Sequence, residues 1–128
     1  MTVFTEGRHA AEFILSEANG QRSRKNGVVA SGQDLAAGEL VQLDSEGNLI
    51  AKDGDLQTDG SLSVAVEGIL LAPVNASSTG TNADTPAAYI VRDAEVNVNL
   101  LTFPAESTAG GEQAACIAAL AVLGIVAR

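Results

Sequence analysis

The run Glu112-Gln113-Ala114-Ala115-Cys116-Ile117-Ala118-Ala119-Leu120-Ala121-Val122-Leu123-Gly124-Ile125-Val126-Ala127-Arg128 is almost purely apolar after its first two residues. A helix without a polar stripe needs protein or lipid around it, and lipid requires about 20 apolar residues. This segment is too short to span a bilayer. It is therefore expected to pack inside the fold and against further copies of the chain, with Ile117, Leu120, Leu123 and Ile125 as its core or subunit-contact residues. No membrane partner is expected.

A chain of 128 residues suits one domain. Hydrophobic residues make up 46% of it but aromatic ones only 3%, so its core must be built from Ala, Val, Leu and Ile, which bury less area per residue than rings do. Association of identical subunits is one way to cover what such a small core leaves exposed. Charge is unevenly placed. Residues 1–30 carry four bases and three acids, net +1, whereas residues 31–128 carry thirteen acids and three bases, net −10. Phosphate contacts need clustered Lys and Arg, so nucleic acid is an unexpected partner. The run Arg22-Ser23-Arg24-Lys25 suits an acidic protein surface or a solvated linker.

Residues 1–30 read as an arm. Two apolar patches, Val3-Phe4 and Phe13-Ile14-Leu15, are separated by polar residues and followed by the turn signals Asn19-Gly20 and Asn26-Gly27. Phe13 to Ser16 is read as extended in preference to a helical turn over Ala10 to Ile14. From Ser31 onwards the pattern is β. Gly38 to Asp44 alternates apolar and polar positions, Ser45 to Asn48 supplies a turn, and Leu49 to Lys52 returns, which is a hairpin signature. Asp53 to Gly60 is a loop, Leu62 to Leu71 a nearly continuous buried strand, and Asn75 to Pro86 a surface loop. Strands follow at Ala87 to Val91 and Glu95 to Leu100. The helix is expected to start after Thr108 or Gly111 and to stop at Gly124, with Ile125-Val126 extended beyond it. The fold class is mainly β, α+β, with one C-terminal helix.

Catalytic and metal chemistry find little support. The only histidine, His9, lies in the arm, and the only cysteine, Cys116, lies in the apolar helix with nothing nearby to lower its pKa. Asp53, Asp55 and Asp59 resemble the start of a calcium loop, but the twelfth position, where a Glu is required, holds Val64. Asp93 and Glu95 are read as a local polar cluster beside Arg92. No phosphate loop, zinc-ligand cluster or dinucleotide fingerprint occurs, so no cofactor, no metal and no enzyme activity are expected. The opening residues also lack the basic and apolar regions of a secretion signal.

Several blocks stand in a telling order: Phe4 to Gly20 with Ser23-Arg24, Val66-Glu67-Gly68-Ile69-Leu70, Tyr89-Ile90-Val91-Arg92-Asp93-Ala94-Glu95-Val96, and Leu123 to Arg128. In these the chain resembles the head decoration proteins of lambda-like tailed bacteriophages, over essentially its whole length. It differs from the lambda-type member in its longer arm and in lacking tryptophan. The resemblance implies a small β-clip, or β-tulip, fold without enzyme activity. It also implies a homotrimer on the outer surface of the virion head, at three-fold and quasi-three-fold positions of the expanded shell, made in the host cytoplasm. There it would clamp major capsid protein subunits against packaged-DNA pressure, its arm pairing with their strands. On this reading residues 1–30 form the capsid-binding arm, with Val3, Phe4, Phe13, Ile14 and Leu15 as anchors and Arg22 and Arg24 steering it, while residues 31–128 form the decoration domain. A minor tail or fibre component is the main alternative, and an enzyme or saccharide-binding domain using the Asp53 to Gly60 loop is a second.

Overall fold

The computed structural model describes residues 3–128; Met1 and Thr2, with which the expected arm begins, lie outside the described residues. Among the described residues ten short strands and one helix make a mainly β fold, as expected from the sequence. In chain order the elements are β1 (Ile14–Glu17), β2 (Arg24–Val29), β3 (Asp34–Leu35), β4 (Leu40–Leu43), β5 (Leu49–Ala51), β6 (Gly68–Leu70), β7 (Val74–Asn75), β8 (Thr85–Ile90), β9 (Ala94–Val96), α1 (Glu112–Val122) and β10 (Ile125–Ala127), with a 3-10 turn at Val98–Leu100 between β9 and α1.

Strands β2, β5, β4, β6 and β8 close into a barrel in that order. Closure removes the unpaired edges that short strands would otherwise present. Because successive strand residues face opposite sides, neighbouring positions divide between two cores. Val29, Val41, Leu49, Leu70 and Tyr89, one from each barrel strand, pack together with Leu35 and Val91. Leu40, Ile69 and Ile90 face the other way and meet Phe13, Val96, Leu101, Cys116, Leu120 and Ile125. This second core is roofed by α1 and by a three-stranded sheet ordered β1-β9-β10. The pair β3-β7 forms a separate two-stranded sheet whose Leu35 and Val74 pack on the first core.

The hairpin β4-β5 forms as its pattern predicts, with Val41 opposite Ala51 and Leu43 opposite Leu49. Asp44 organises its turn: Oδ1 accepts from the amides of Glu46 and Asn48 at 2.8 and 2.9 Å. The helix also falls where expected. Gly124, at φ 80°, turns the chain out of α1 so that β10 can run parallel to β9.

Three expectations are corrected. The continuous strand over Leu62 to Leu71 is reduced to β6, because the chain before it is drawn aside: Ser63 N–H bonds Asp55 O at 2.9 Å and Leu62 makes an isolated bridge to Leu56. The strand over Glu95 to Leu100 ends at Val96, where the Asn97 side chain accepts from Asn99 N–H and caps the 3-10 turn. Asn26-Gly27 is no turn but the middle of β2, which pairs with β8 from Arg24 opposite Ile90 to Val29 opposite Thr85. Glycine serves there because a Cβ on Gly27 would lie 2.9 Å from Tyr89 Cε1. The ring occupies the space a side chain would need.

Candidate interaction surfaces

Among the described residues of the segment 1–30, only those from Val3 to Ala10 stand off the domain. Val3 and Phe4 are 81% and 90% exposed. The root of this short arm is moored: Arg8 Nη1 donates to Thr102 Oγ1 at 2.6 Å, and Ala11 N–H donates to Leu71 O at 2.9 Å. His9 Nε2 lies 2.7 Å from Glu6 Oε1 within the arm itself.

Beyond that root the chain belongs to the body. Phe13 was expected as an arm anchor, but it is fully buried in the core under α1. As one of the two largest fully buried side chains it fills volume that aliphatic neighbours cannot. Ile14 is half-buried against the same core and pairs with Val96 in β9. Leu15 alone of this patch is exposed, at 54%, on the edge strand β1. The expected arm through Ala30 is thus shortened, since β1 and β2 both take their hydrogen-bond partners from within the domain.

The basic run is partly neutralised. Arg24 donates from Nε and Nη2 to the two oxygens of Glu17, at 3.1 and 2.5 Å, and Ser23 Oγ donates to the same carboxylate at 2.6 Å. Those hydrogen bonds, Arg24's first, hold the Glu17 carboxyl below its usual range. Arg24 is therefore committed to its own chain. Arg22 is freer: its side chain is 69% exposed and makes one 3.4 Å contact with Asp93. Arg92, distant in sequence, joins it by donating from Nη1 to the Arg22 carbonyl at 3.0 Å. Sequence reasoning missed Arg92 because only the pairing of β2 with β8 brings it beside the run.

Helix α1 divides sharply. Cys116 and Leu120 are fully buried, as is Ile125 after the helix, whereas Ile117 and Leu123 are half-buried. Its opposite side, bearing Ala114, Ala118, Ala121 and Val122, is exposed, Val122 to 87%. The expectation of an enclosed helix is met on one side only within a single chain.

Reactive groups are occupied structurally. The Cys116 thiol is pushed up by burial. Lys52, its side chain fully buried, donates from Nζ to Gln42 Oε1 at 2.8 Å and to Asp53 Oδ1 at 2.9 Å, which holds Asp53 low in pKa. Asp59 accepts from Ser61 N–H and Oγ. Among the described residues no group of three His, Cys, Asp or Glu side chains is placed to hold a metal ion, and no helix is long and apolar enough to cross a membrane.

The family model for bacteriophage lambda head decoration protein D matches residues 3–125, nearly the whole chain. The chain belongs to that family. Capsid decoration is therefore its role, as a structural component of the phage head, and the family is not one of enzymes. A search of curated proteins returns no match.

Proposed function

We propose that this decoration protein acts as a homotrimer on the outer surface of the expanded head, at three-fold and quasi-three-fold positions, where it ties major capsid protein subunits together against the pressure of packaged DNA. The observation that carries this reading is the combination of a closed body with a short arm whose first described side chains, Val3 and Phe4, are exposed and apolar. An extended segment of this kind adds a strand to an available sheet edge, main-chain hydrogen bonds giving affinity and alternate side chains giving register. Val3 and Phe4 are the anchors, Leu15 extends the contact along the β1 edge, and Arg22 with Arg92 draws the arm toward acidic capsid surface. Phe13 and Ile14 contribute from behind, by fixing the arm's root to the core. Arg24 shapes the surface through Glu17.

Each backbone hydrogen bond contributes only about 1 kcal/mol net. One arm is weak, but three on a rigid trimer gain about 10² to 10⁴ in avidity when their spacing matches that of the sites. Lattice selectivity follows: a shell with different subunit spacing engages fewer arms. The test is sedimentation of purified protein with expanded and with unexpanded heads. Saturable addition to expanded heads alone is expected, and equal addition to both would overturn the geometric reading.

A further inference from the structure

Resting on the trimeric reading above, we infer that the outer face of α1, with the adjoining loop 60–66, is the surface through which copies of this chain meet. Ala114, Ala118, Ala121 and Val122 recur at helical spacing on the side opposite Cys116 and Leu120. Beside them runs an open groove of about 510 Å³, lined by Leu62, Ala65, Ala115, Ala118, Ala119 and Val122. Val122, 87% exposed, is the most exposed large apolar side chain of the body outside the arm.

Charge selects the occupant. The chain carries a formal net charge of −9, so two copies repel over most of their surfaces. Between Gln113 and Ala127 the only ionisable side chain is the buried thiol of Cys116, and between Gly60 and Val66 there is none. Asp59 stands at the rim. Two segments distant in sequence thus converge on one apolar, uncharged surface of an acidic molecule. That is what self-association of like-charged bodies requires. A basic partner would be better served by acidic ground, and the eleven-residue helix is too short to span lipid. The buried side of α1 is spent on the intrachain core, so Leu120 sustains the fold while Val122 faces the neighbour.

The test is photo-crosslinking of the full chain carrying Val122→Cys, labelled with benzophenone maleimide and bound to expanded heads, the crosslinked peptides being identified by mass spectrometry. Ala114→Cys, at the N-terminal end of the same face, gives a second label position, and the wild type, whose Cys116 is buried, gives the blank. Expected are crosslinks to peptides of a second copy of this chain from either position. Crosslinks to capsid protein alone, or none from both positions, would overturn the inference. Should the wild type fail to add to heads, the capsid reading falls separately. Crosslinking of the concentrated free protein then decides the inference: covalent oligomers support it, and monomer only overturns it.

Discussion

Phe4 and Phe13 show how far burial, and not residue type, sets what a side chain does. Both are phenylalanines in the first apolar patches of the chain, yet one is 90% exposed and the other fully buried. Phe13→Ala removes a ring from the packed core under α1 and is expected to lower stability by about 3–5 kcal/mol in urea unfolding. Phe4→Ala should leave the unfolding midpoint unchanged and weaken addition to expanded heads in the sedimentation assay. A large stability loss from Phe4→Ala would place that ring on the body. Gly27 is a second residue whose role is set by a neighbour. Gly27→Ala puts a methyl within 2.9 Å of Tyr89 Cε1, so the ring must shift, and a loss of about 1–3 kcal/mol is expected. Neither Phe13 nor Gly27 was legible locally, because each is explained by a contact with residues far along the chain.

At the scale of elements, those defined by nearby residues were the legible ones. The β4-β5 hairpin carries its own turn chemistry in Asp44 to Asn48, and α1 carries its own stop in Gly124. Elements that depend on a distant partner were misread. Strand β2, with its Asn-Gly pair, exists because β8 and β5 flank it, and residues 62–66 are drawn out of the sheet because Asp55 holds Ser63. The start of α1 has a consequence for pH. Glu106 accepts from the amides of Gly111 and Gln113, both at 2.8 Å, and Glu112 Oε1 accepts from Ser107 N–H at 3.0 Å. Hydrogen bonding from Ser107, foremost among the causes, lowers the Glu112 carboxyl from 4.5 to about 2. A carboxylate whose folded pKa lies below its unfolded value stabilises above the unfolded value and loses that contribution as pH falls through the folded one. Stability measured by urea unfolding should therefore decline between pH 4.5 and about 2. Glu112→Gln should flatten that decline; an unchanged slope would assign it to Glu17, Asp53 and Asp59, the other carboxyls held low.

For the whole molecule, the fold class was legible, while the point at which the leading segment joins the body was not. Composition marks 1–30 as distinct by its charge, but charge does not report where backbone hydrogen bonds go. Those of β1 and β2 go to β9, β8 and β5, so the boundary between tether and body falls near Ala11 and not at Ala30. Two truncations separate these boundaries. Removing residues 1–7 keeps Arg8 on Thr102, Ala11 on Leu71, and Phe13 in the core. That protein should unfold at the wild-type urea midpoint and fail to coat expanded heads. Removing residues 1–20 deletes Phe13 and all of β1, leaving a core under α1 without its ring and β9 without one of its two neighbours. It should be largely unfolded by circular dichroism, so its failure to decorate would say nothing of the capsid contact. If the longer truncation instead folds with wild-type stability, β1 is dispensable to the body and the arm extends past it. If the shorter one still saturates heads at wild-type affinity, Val3 and Phe4 carry no contact and binding must run through the body.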